Sequence, residues 1–155
     1  MLVDFNTTAN QSRIWIYAAE QKLTNNQENY IIKSISNHLN NWEAHKVPLV
    51  AGVTILENHF IIIALDETKN GASGCSIDTL QNKMQEIEKV LSVSLLNRLN
   101  VFCRIDDEIH CIPTTKLAEN ANKETLFYDL TIQKKSELSN WLKPIEEGWC
   151  ATIIL

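Results

Sequence analysis

Two apolar runs, LVAGVTIL at positions 49–56 and FIIIAL at 60–65, are separated only by a short turn around Glu57 and Asn58. That spacing constrains the fold more than any other feature of the chain. Each run is short and its apolar content near-continuous, so together they predict a hairpin. The longer uninterrupted stretch, Phe60 to Leu65, is also far too short to cross a bilayer. A third strand, interior rather than at an edge, is expected at RIWIY, positions 13–17, where β-branched and aromatic residues occupy both faces.

Helices are expected on either side of the hairpin. Thr24 and Gln27 form a T-x-x-Q capping box, followed by Ile31, Ile35, Leu39 and Trp42 at helical spacing. The pattern predicts a helix over 25–44 that ends near His45, because Pro48 lacks an amide donor and biases its predecessor towards extended backbone. Ile77, Leu80, Met84, Ile87 and Leu91 define the second helix, over 76–91. Beyond it, VFCRI (101–105) and IHCI (109–112) flank Asp106-Asp107-Glu108. A three-residue loop there would set Cys103 opposite Cys111 and Ile105 opposite Ile109.

The tail offers a strand at 126–130, a short helix around 135–142 stopped by Pro144, and the apolar end TIIL, 152–155. The order β-α-β-β-α-β predicts an α+β fold of ferredoxin-like type. In it, two helices cover one face of an antiparallel sheet, and an extra hairpin strand and short helix follow towards the C-terminus. Residues 1–11 are polar and aperiodic and read as a loose N-terminal extension to a single α+β domain over 12–155.

Fourteen Lys and Arg against nineteen Asp and Glu give a net charge of −5, which argues against a general nucleic-acid binder. The first residues have neither the charged nor the apolar segment of a signal peptide, so a cytoplasmic location is expected. Cys75, Cys103, Cys111 and Cys150 show no C-x-x-C spacing and read as free thiols.

The stretch DETKNGASGCSID, 66–78, is the least ordinary of the chain, since it holds two of the four glycines. It is not a phosphate-binding P-loop: G-A-S-G-C-S lacks the lysine and the glycine spacing of that motif, and the strand before it belongs to a hairpin. One reading is a loop that caps the second helix, with Ser73 or Ser76 accepting from its first amides and Asp78 complementing its positive end. The other is a site, because exposed amides at a helix start bind anions and the local dipole favours a thiolate at Cys75.

The expected topology brings further polar residues to that edge: Arg13, Trp42 to His45, Asp66, Glu67, and Arg104 with Asp106. Asp66 and Glu67 read either as a solvated strand end or as a base or metal ligands, and His45 either as a helix-terminal cation or as a base. Trp42 reads mainly as core. His38, His59 and His110 read as surface histidines, and Cys103 and Cys111 as small buried residues.

Taken together, RIWIY (13–17), WEAH (42–45), FIII (60–63), Asp66-Glu67, SGCSID (73–78) and NRL (97–99) resemble a family of short bacterial proteins whose members often carry the label "ABC transporter ATPase". The resemblance spans about residues 12–145. It implies no activity or cofactor, but it marks the same edge as the topology does.

The expected function is a small ligand-binding or interaction module, with Arg13, Trp42, Glu67, Ser73, Gly74, Ser76 and Asp78 around an anionic small molecule or a peptide carboxylate. The alternative is a hydrolase. It would use Cys75 as nucleophile, His45 as base and Asp66 or Glu67 as orienting acid, or else a metal held by Asp66, Glu67, Asp78 and His45.

Overall fold

The computed structural model describes residues 1–154 and shows a mixed α+β chain with antiparallel sheets, divided into two compact units. The first comprises Met1–Leu96 and Gln133–Ser136, and the second Asn97–Ile132 and Glu137–Leu155.

The first unit holds β1 (Arg13–Ala18), α1 (Asn25–Asn40), the two-residue strands β2 (Glu43–Ala44) and β3 (Val47–Pro48), β4 (Val50–Leu56), β5 (Phe60–Asp66) and α2 (Gly74–Leu91). Of the apolar hairpin, β5 lies inside as the central strand of the sheet β1-β5-β4, antiparallel to both neighbours, while β4 is mostly half-buried at one edge and β1, expected in the interior, forms the other edge. One core joins a single face of this sheet (Tyr17, Ala51, Ile61, Ile63, Leu65) to the stripes of both helices, Ile31, Ile35 and Leu39 with Leu80, Met84 and Ile87. The two helices therefore share a face. Ile14, Ile16, Phe60, Ile62 and Ala64, on the opposite face, are buried as well.

Residues 1–11 are not a loose extension. Leu2 bridges Ala51 in parallel, the Val3 amide donates to the Ala51 carbonyl at 2.9 Å, and Phe5 is buried in a 3-10 turn. Gly52 makes that passage possible, since a Cβ there would come within 2.7 Å of the Val3 carbonyl oxygen and 2.8 Å of Phe5 Cα. Lys135 Nζ then donates to the carbonyls of Phe5 and Thr8, at 3.0 and 2.8 Å.

Helix α1 ends at Asn40, four residues short of the expected end, and Trp42 reaches the same core from outside the helix. The chain turns back through β2 and β3, whose connecting residues His45 and Lys46 both have positive φ, 53° and 65°. That pairing is the backbone of a tight hairpin turn.

The second unit holds β6 (Asn100–Ile105), β7 (Glu108–Pro113), α3 (Leu117–Asn120), β8 (Leu126–Tyr128), β9 (Leu142–Pro144) and α4 (Ala151–Ile154). Its sheet runs β7-β6-β8-β9, so the expected fourth strand of a single ferredoxin-like sheet is here part of a separate one. Two causes are visible. The tail supplies β8 as a partner for β6, with Cys103 opposite Phe127. Within the first unit, the start of β1 is already paired, since the Ile14 amide donates to the Gln133 carbonyl at 2.9 Å and Arg13 bridges Lys134.

The β6–β7 register is also one residue off expectation. Asp106 and Asp107 alone form the loop, with φ of 53° and 61°, so Cys103 faces His110 and Arg104 faces Ile109. Aspartate tolerates the left-handed region, which permits the two-residue loop, and a one-residue slip changes every cross-strand pair. The segment 135–142 is a 3-10 turn (Lys135–Asn140), and 151–154 is helical. Leu155, the last residue of the apolar end, lies outside the described residues.

Candidate functional site

The edge singled out in the sequence is built from three segments of the first unit: the β2–β3 hairpin, the loop after β5 and the start of α2. Local chemistry sets each of them. Ser73 is the N-cap of α2. Its hydroxyl accepts from the Ser76 amide at 3.1 Å, and the Ser76 hydroxyl accepts from the Ser73 amide at 2.8 Å. This reciprocal box starts the helix at Gly74, two residues before the expected start. As a consequence Asp78, which is exposed, lies beyond the first turn, where the helix dipole has faded. It does not complement the helix start as expected.

Side chains bond the three segments together. Trp42 Nε1 donates to the Ser76 carbonyl at 2.8 Å from a buried position, and its ring meets Trp15 edge-on at 5.8 Å. Asn70 Nδ2 donates to the carbonyls of Ala44 and Val47, at 3.2 and 3.0 Å, and so clamps the hairpin that carries His45 and Lys46. Glu67 folds over Gly71 and accepts from the Ala72 amide at 3.3 Å. The hydrogen bonds from the Thr68 amide and then its hydroxyl hold the Asp66 carboxyl below the usual range, the two lengths being 3.0 and 2.8 Å. Arg13 stacks over the Trp15 ring, 4.6 Å from its centre.

Cys75 and His45 are both exposed, and among the described residues no hydrogen bond is found between them or between His45 and Asp66. Nor do His, Cys, Asp or Glu side chains gather in threes suited to a metal ion among the described residues, so Asp66, Glu67, Asp78 and His45 do not form the expected ligand set. Arg104 and Asp106 belong to the second unit.

What is open at the edge is backbone. Gly74 and Cys75 are exposed, no bond from either amide is found among the described residues, and a Cβ on Gly74 would meet nothing within 4 Å.

Two histidines are less superficial than expected. His59 is buried, with Nδ1 2.9 Å from the Glu57 carbonyl. His38 is half-buried beside Trp42, and its Nε2 has no hydrogen-bond partner among the described residues. Burial first, and then the Lys83 charge, lower the His38 pKa, against the opposite influence of Glu86. Burial pushes the Cys103 thiol up to about 12, with Cys150 and Cys111 adding to it, which suits an inert core thiol. Asn70 was not singled out in the sequence, where it sits among turn-forming residues, and its clamping role depends on a contact 23 to 26 residues away.

No helix is long and apolar enough to cross a membrane among the described residues. Comparison of the chain with protein-family models, curated proteins and solved structures gives no match in any of the three.

Proposed function

We propose that the protein is a non-catalytic binding module of the cytoplasm that holds an anionic small molecule or a peptide carboxylate at the start of α2. The observation that carries this reading is the pair of exposed, unbonded amides of Gly74 and Cys75 on an 18-residue helix, with open space above Gly74. A helix start of this kind offers both hydrogen-bond donors and a partial positive charge to an anion. The Ser73–Ser76 box, the Trp42 bond and the Asn70 clamp support the reading, because they fix the approach before any ligand arrives. The exposed but unbonded Cys75 and His45 favour binding over thiol catalysis.

Thermal melting in phosphate, sulfate and acetate tests the proposal. At ligand concentrations about 100 times Kd, the fold should gain about 2.7 kcal/mol. Cys75→Ser should keep that protection, because the amide and not the thiol makes the contact. Melting that no anion shifts, or protection that disappears in Cys75→Ser, would overturn the reading.

A further inference from the structure

In the first unit, β4 is an edge strand whose outer side is covered along only part of its length. Backbone groups point alternately to the two sides of a strand, and Ala51 shows which residues of β4 point outward. Its amide donates to the Met1 carbonyl at 3.1 Å and its carbonyl accepts from the Val3 amide at 2.9 Å, both on the side away from β5. Val53 and Ile55 follow at the same alternation, so they too present N–H and C=O groups outward. Among the described residues no bond from these outward groups is found.

The rest of the sheet is treated differently. At the far edge, the Ile14 amide is bonded to the Gln133 carbonyl, Arg13 bridges Lys134, and Ile16, Tyr17 and Ala18 are buried. On β4, by contrast, Val53, Thr54, Ile55 and Leu56 are all half-buried, and a hollow of about 420 Å³ bounded by Leu2, Val3 and Ser36 opens beside Val53. The devices that normally protect an exposed edge are also missing. Val50–Leu56 carries no charged side chain and no proline, and its register with β5 runs without a bulge from Val50 opposite Asp66 to Leu56 opposite Phe60.

We propose that this open stretch pairs with the same strand of a second copy of the chain, antiparallel and two-fold symmetric about Ile55. Outward groups at strand spacing call for extended backbone, and the chain's own Leu2 already answers that call at Ala51. An identical strand suits the remainder for three reasons. Ile55 opposite its twin exchanges two reciprocal N–H···O bonds, as opposed residues of an antiparallel pair do. Thr54 falls opposite Leu56 and Val53 opposite Glu57, so no like charges meet across the pair. The Leu2–Ala51 bridge lies opposite the position of His59, beyond the turn at Glu57 and Asn58 of the second copy, and so stays in place. Each copy brings one such stretch to the pair, and a two-fold contact closes on itself at two copies.

Sedimentation equilibrium of the whole protein, at about 0.15 M salt to screen the charge of −5 on each copy, tests the proposal over concentrations up to about 1 mM. Amide hydrogen exchange at Ile55 is followed over the same range. The expected result is a reversible monomer–dimer equilibrium with nothing larger. The Ile55 amide should exchange freely when dilute and slow in step with the fraction of dimer. Ile55→Lys, which sets two ammonium groups opposite each other, should weaken association several-fold. A protein that stays monomeric to about 1 mM, one that assembles beyond two copies, or a dimer whose Ile55 amide still exchanges freely would each overturn the proposal. Sedimentation and exchange are both measured on the unaltered protein, so they decide the matter even if Ile55→Lys disturbs the fold.

Discussion

The two compact units hold themselves together by different means. In the first, two capped helices of 16 and 18 residues lay their apolar stripes on one face of a three-stranded sheet, and burial provides most of the cohesion. In the second, no strand exceeds six residues and its two helices have four each, so side-chain bonds to backbone carry more of the specification. Asp129 is the clearest instance: a buried carboxylate that receives three hydrogen bonds and fixes a turn. Long periodic elements can tolerate imperfect loops. Short ones depend on individual polar groups.

Truncating the helix core should produce the largest effect. Met84 is fully buried between α2 and the sheet, so Met84→Ala should cost about 2–5 kcal/mol in chemical denaturation. A cost near zero would mean that the first unit does not rest on burial. In the second unit the matching experiment is Gly148→Ala. The added methyl must displace the buried Phe127 ring, and a cost of about 1–3 kcal/mol is expected. A neutral result would show that this unit is looser than its close contacts imply.

Acid should separate the two units. His38 has its pKa lowered in the fold by burial, so the unfolded chain binds a proton more readily. Stability from this group is complete above the ordinary histidine range and is lost as pH falls through that range towards the folded value. Asp129 titrates lower. Burial alone would raise its pKa, but the bonds from Thr131 and Lys143 outweigh it and hold the carboxyl below the ordinary range. Its contribution persists above that range and is lost only as pH falls through the folded value. Amide exchange should therefore accelerate in α1 and α2 at a higher pH than in β8 and β9. His38→Gln should remove the earlier step, and simultaneous loosening of both units in that variant would contradict the assignment.

The smallest effects are at the start of α2. Ser73→Ala removes one half of the capping box and should cost about 1 kcal/mol. Asp78→Asn, at an exposed site beyond the first turn, should change stability by less than about 0.5 kcal/mol. Equal costs at the two positions would mean that the dipole, and not the cap, organises this loop.

The same contrast explains what the sequence revealed. The capping box at Thr24, the helical stripes and the hairpin at 49–65 could be read directly, because period and cap chemistry are local. The hairpin at 43–48 could not, since its turn is His45-Lys46 with neither glycine nor asparagine, and the bond that secures it comes from Asn70. The β6–β7 register could not either: Asp106-Asp107-Glu108 serves a two- or a three-residue loop equally well on paper. Phe5 was a single aromatic in a polar stretch, and its burial depends on Gly52 in another strand. At the candidate site, the presence of a helix start and the capping role of its serines were legible, but its boundary was not. The role of Asp78 was misjudged because it turns on a two-residue shift of the helix boundary.

The central claim is that backbone amides, not the thiol, make the start of α2 a binding site. A ¹⁵N NMR titration with phosphate tests it most directly. The account predicts saturable shifts centred on the Gly74 and Cys75 amides, with the same affinity in Cys75→Ser. Phosphate that leaves those two amides unmoved, or moves them only while the Cys75 thiol is present, would contradict it.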